Sequence, residues 1–217
     1  MSHTQSIRIR LIALTATLLL FVTTVVVLPE LTHSASAGTK PPVYVSLTWD
    51  DGRASQQQSV ALQQARNMPA TYYINSGLVG SSGYYLTKTS LDAIAAVPGN
   101  EIGGHTDMHV NLTTVPTADA QTAVCADRTT LTSWYGSAAG RSFAYPYGAN
   151  NPDVEQIVKT CGYTSARTTT GVTTPTGCLS CLPSESLAPA DPYRLAVPKA
   201  VDSTTTLTDL QFQIHTA

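Results

Sequence analysis

From residue 41 onward, short apolar runs bounded by turn residues alternate with segments of helical character, and this alternation constrains the fold more than any other feature of the chain. A strand that leads into a helix and then into another strand builds a mainly parallel sheet, because parallel neighbours need a crossover between them. The runs at 43–49, 70–75, 101–104, 142–145, 163–167 and 194–198 read as strands. Segments at 55–66, 87–96, 117–135, 152–161 and from 205 to the end read as helices, and 170–192 as an irregular loop. With no internal repeat and no long Pro/Ser/Gly linker inside 43–217, the expectation is one α/β domain. Functional residues of such folds gather at the C-terminal ends of the strands, in the loops leading to helices.

Ahead of this domain, Arg8 and Arg10 precede an apolar stretch at 11–28, and Ala35-Ser36-Ala37 offers the small residues a signal peptidase requires. Residues 1–37 are therefore expected to be a signal peptide and 38–42 a short linker. An uncleaved membrane anchor is the alternative, since the stretch is about long enough to span a bilayer. Either reading makes the domain secreted or extracytoplasmic. A net charge of -2, with 12% charged residues and no basic cluster, argues against nucleic acid as a partner. Nothing in the sequence implies a protein partner. Four cysteines in an exported chain favour disulfides. Of the three possible connectivities, Cys125 with Cys161, on helices of adjacent units, and Cys178 with Cys181, closing a small loop, is favoured; a Cys178-x-x-Cys181 redox pair is the alternative.

Three motifs fall at expected strand ends. Thr48-Trp49-Asp50-Asp51-Gly52 closes the first strand. Adjacent aspartates before glycine suit a plain polar turn, but a bend at Gly52 also lets consecutive carboxylates face one mouth. Two such carboxylates repel unless a cation lies between them. His105-Thr106-Asp107-Met108-His109 follows the third strand. Its histidines are either surface residues or, converging with Asp51, a three-ligand metal site with a coordination position open for water. Asp107 is expected to be no ligand. Arg141-Ser142-Phe143-Ala144-Tyr145-Pro146-Tyr147-Gly148 spans the fourth strand and its turn. It is either a structural turn or a source of an oxyanion-facing N–H and an aromatic wall.

In this order the three motifs resemble those of the NodB-homology polysaccharide deacetylases, the fourth family of carbohydrate esterases, from residue 43 to about 201. Trp49 stands where that family usually has Phe, and Ala144 where many members carry Arg. The resemblance implies a distorted (β/α) barrel and metal-dependent hydrolytic removal of acetyl groups from a polysaccharide or oligosaccharide: an N-acetylglucosamine-type glycan such as chitin or peptidoglycan, or an O-acetyl polymer. It further implies that Asp51, His105 and His109 hold the metal, that Asp50 is the general base oriented by Arg141, and that the Tyr147 backbone N–H faces the oxyanion. Trp49, Tyr145 and Pro146 are the implied substrate contacts, with Tyr84 and Tyr85 as further aromatics near the rim. His and carboxylate ligands suit Zn2+, and also accept Co2+, Ni2+ or Mn2+. The family's fourth motif has no counterpart after Gly162-Tyr163, where Thr164-Ser165-Ala166-Arg167 stands. The late histidine that protonates the leaving amine has His215 as its only candidate, on a segment with helical spacing of Leu207, Leu210 and Ile214. The expectation is a barrel lacking its last strand, in a domain that is C-terminally incomplete or a natural variant. The alternative function is a non-catalytic carbohydrate-binding module of deacetylase type that lacks the terminal acid.

Overall fold

Strands buried on both faces are the mark of a parallel sheet covered by helices. Ala70–Ile74 and Ser142–Ala144 show it, with every residue buried except Thr71 and Ser142. A computed structural model describes residues 42–217, which cluster as one unit. Six strands, β1 (Leu47–Trp49), β2 (Ala70–Ile74), β3 (Glu101–Gly104), β4 (Ser142–Ala144), β5 (Ser165–Gly171) and β6 (Leu195–Val197), pair in sequential order, all parallel. They curl into a half-barrel of the distorted (β/α) kind. The expected signal peptide or anchor lies outside the described residues, among which no helix is long and apolar enough to cross a membrane.

Helices fill the crossovers: α1 (Val60–Ala65), α2 (Lys88–Ala95), α3 (Thr117–Tyr135), α4 (Pro152–Thr160) and, after β6, α5 (Leu207–Thr216). Their starts follow local chemistry. Thr87 and Asn151 accept from the backbone N–H three residues on, and Thr206 and Asp209 cap each other reciprocally. Expectations shift at several boundaries, and β5 runs on to Gly171, into the loop expected at 170–192. The first strand shrinks to Leu47–Trp49 because β1 is a sheet edge, and Val43, Tyr44 and Val45 are exposed. The helix expected at 55–66 opens as a tight 3-10 stretch, Ala54–Ser59, in which the buried Gln56 side chain turns back to donate to the Asp50 carbonyl.

The core has two parts. Tyr72, Ile74, Leu91, Ile94 and Leu131 pack around β2 and β3, while Val124, Phe143, Val158 and Tyr163 pack between β4, α3 and α4. Phe143 is fully buried, with its ring centroid 5.4 Å from Tyr145 and 4.9 Å from Tyr163. Phe143→Ala is expected to cost about 3–5 kcal/mol of unfolding free energy, read from the denaturant midpoint at unchanged slope. Both favoured disulfides are formed. Cys125–Cys161 ties α3 to the end of α4, and Cys178–Cys181 closes a small loop after β5.

Candidate metal-dependent active site

The site assembles where the strand ends release the chain. Of the five non-glycine residues with positive φ among the described residues, four are Asp51 (72°), Thr106 (63°), His109 (57°) and Tyr147 (62°), all on loops that leave β1, β3 or β4. This left-handed backbone is uncommon outside glycine and asparagine, and its clustering at one rim marks a place where strain is kept for geometry. At β1 the chain turns at once through Asp51 and Gly52 (φ 64°), which aims the adjacent carboxylates of Asp50 and Asp51 at different partners.

Asp51 meets the two histidines. Its Oδ1 lies 3.4 Å from His105 Nε2 and 3.2 Å from His109 Nε2, and the three ligand atoms are all within 4.8 Å of one another. His105 is buried, and its Nδ1 stands 2.6 Å from the Ala144 carbonyl. That carbonyl can only accept, so Nδ1 carries the proton and Nε2 presents its lone pair to the cluster. Two imidazole nitrogens and a carboxylate oxygen converging in this way are the three-residue donor set of a catalytic divalent site. The residues therefore fit a metal. The second carboxylate oxygen of Asp51 accepts from Arg53, 2.9 Å from Nε and 2.8 Å from Nη2. Where their facing nitrogens carry a proton, His105 and His109, and then Arg53, hold the Asp51 carboxyl far below the usual carboxylate range, against its partial burial.

Several contacts brace the histidine loop. Asn75 Nδ2 donates to the carbonyls of His105 and Thr106, and Thr106 Oγ1 accepts from Val110 N at 3.0 Å, which closes the turn that returns His109 to His105. The imidazole centroids stand 4.9 Å apart. Tyr147 lays its ring edge-on to His109 at 4.6 Å and is otherwise exposed. Asp107 is not among the three residues whose ligand atoms converge.

Asp50 has a different arginine from the one expected. Arg141 sits exposed at the start of β4, at the opposite end of the sheet, where it lines a cleft with Asp92, Glu101 and Tyr135. The strand ahead of the motif's turn separates it from the rim. Arg167, on β5, instead forms the ion pair with Asp50 Oδ1, while its guanidinium lies 4.7 Å above the Tyr73 ring. Gly103 makes this stack possible, because a Cβ there would stand 2.7 Å from the Tyr73 ring. The signal was legible: Ala144 leaves Asp50 without a cation from β4, and Arg167 falls at the end of the neighbouring expected strand.

The expected aromatic wall is also corrected. Tyr145 is fully buried and donates from its hydroxyl to the Tyr193 carbonyl at 2.8 Å, so strand alternation turns it into the core. Pro146 is buried as well, and Trp49 packs against the β2 core. Of the aromatics expected near the rim, Tyr147 and Tyr84 are exposed, the latter 5.0 Å from the Arg53 guanidinium. His215 is exposed on α5 and is not among the metal-ligand cluster.

Parallel strands in chain order, with carboxylate and imidazoles gathered at their C-terminal ends, define a hydrolase of the (β/α) type. Residues 37–166 match the polysaccharide deacetylase family, and the chain belongs to it: a NodB-homology enzyme of carbohydrate esterase family four. The fold is similar to that of the Streptococcus pyogenes deacetylase PplD, solved in complex with acetate (TM-score 0.65, 20% identity, 80% of this chain and 72% of that one). It is also similar to IcaB from Ammonifex degensii (0.64, 20%, 80% and 74%). A third such structure is a de-N-acetylase from Aggregatibacter actinomycetemcomitans (0.63, 14%, 80% and 76%). No curated relative matches the chain.

Proposed function

We propose that this protein is an exported hydrolase that removes acetyl groups from an acetylated polysaccharide, of N-acetylglucosamine type such as chitin or peptidoglycan or an O-acetyl polymer, with a divalent metal held by Asp51, His105 and His109. The convergence of Asp51 Oδ1 with the two imidazole Nε2 atoms, beside a second carboxylate paired to a cation, carries this reading. Zn2+ suits the donor set best, and Co2+, Ni2+ and Mn2+ are also accepted by it. When bound, the cation supplies Lewis acidity, polarising the acetyl carbonyl and easing the ionisation of water.

The chain's own residues do the rest. Arg167 engages Oδ1 of Asp50 and fixes the carboxylate, so that the other oxygen takes the proton of the attacking water. The Tyr147 N–H, at the left-handed turn beside His109, is the donor for the developing oxyanion. Arg53 occupies the outer oxygen of Asp51 and leaves the inner one for the cation. Tyr84 and Tyr147 offer exposed faces for a sugar ring. The two disulfides fit an oxidising compartment outside the cytoplasm.

Acetate release from acetylated chitooligosaccharides tests the proposal. Turnover is expected with Zn2+, to be lost on chelation, and to return when metal is restored. Glycan binding without turnover in metal-loaded protein would favour a carbohydrate-binding module instead. No metal uptake, no acetate and no glycan binding would overturn both.

A further inference from the structure

Deep behind the rim, α3 carries a carboxylate that the chemistry above does not use. Asp127 is fully buried, and every one of its partners is a donor on another segment. Oδ1 accepts from Ser76 N at 3.0 Å, in the turn after β2. Oδ2 accepts from His105 N at 3.0 Å, where β3 ends, and from the Tyr163 hydroxyl at 3.2 Å, ahead of β5. A charge so deep in the protein is expensive unless hydrogen bonds satisfy it. Here three donors do so, in a place where an apolar side chain would be cheaper.

The surroundings are built to admit it. A Cβ on Gly104 would stand 2.7 Å from Asp127 Oδ2 and 2.0 Å from the Tyr163 hydroxyl, so a side chain at 104 would push the carboxylate off the next residue. The His105 N–H also points to the Ile74 carbonyl at 3.1 Å, the last rung of the β2–β3 ladder. The next residue, Thr106, is left-handed and leaves the sheet. Asp127 therefore grips the histidine's own backbone at the point where the ladder gives out.

We infer that Asp127 is a positioning residue for the metal centre: by clamping the backbone of His105 to the turn after β2 and to Tyr163, it sets where the His105 imidazole presents Nε2. This rests on the metal reading of the Asp51, His105 and His109 cluster. Groups that orient a ligand in this way commonly govern metal affinity by 10- to 100-fold.

The test is Co2+ titration of the metal-stripped full chain, followed by visible absorption and by melting with and without the ion. Asp127→Asn, which sets an amide N–H against a backbone N–H, is expected to bind Co2+ about 10- to 100-fold more weakly. It should also show an altered absorption band and a smaller rise in melting temperature on metal addition. A purely structural brace would lower the metal-free and metal-loaded melting temperatures alike and leave affinity and band unchanged; that result would overturn the inference. If Asn at 127 prevents folding, Tyr163→Phe decides, since it removes one donor from Oδ2 and keeps both backbone bonds. An altered band is then expected, and an unaltered one overturns the inference. Failure of the unsubstituted chain to take up Co2+ would remove the metal reading itself, and this inference with it.

Discussion

Asp50→Asn is expected to lower acetate release by about 100- to 10,000-fold, the range for loss of a positioned general base, while the chain still takes up metal. The separation of the two effects follows from the geometry. Asp51 Oδ1 faces the imidazoles, whereas Asp50 faces Arg167, so removing charge at 50 leaves the three ligand atoms in place. Metal content measured beside turnover checks both halves. Full activity in the variant would take Asp50 out of the chemistry, and loss of metal would make it a ligand in place of a base.

The second large effect concerns which arginine serves. Arg167→Ala is expected to reduce turnover on the order of 100-fold, because an unanchored base samples misplaced geometries that cost about that much. The same change leaves the buried face of Tyr73 without its cation. Arg141→Ala, at an exposed position at the far end of β4, should leave turnover unchanged and shift stability by no more than about 0.5 kcal/mol. Steady-state kinetics of the two variants side by side give the answer. Equal losses, or loss only in Arg141→Ala, would mean that the Asp50–Arg167 pair is structural and not part of the reaction.

Much of this architecture was legible because periodicity is a local signal. The six strands and five helices of the described residues could be placed from apolar runs and Gly/Pro punctuation. The Asp51, His105 and His109 constellation was equally accessible, since each residue lies in a loop that leaves β1 or β3 and parallel sheets bring such loops together. What escaped was side-chain direction. Tyr145 belongs to an aromatic motif, yet the pleat sends it into the core, and Arg141 belongs to the same motif but starts the strand that the site terminates. Arg53 and Asp127 escaped for a further reason. Their partners are set by a left-handed turn at Asp51 and by the absence of a Cβ at Gly104, and neither effect leaves a spacing pattern in the chain.

The strictly sequential strand order divides labour along the chain. The three side chains proposed to hold the cation lie between residues 51 and 109, after β1 and β3, whereas Arg167, the proposed anchor of the base, stands on β5. On that reading, damage to the first half of the sheet costs the ion, and damage to the second half costs only the alignment of the proton acceptor.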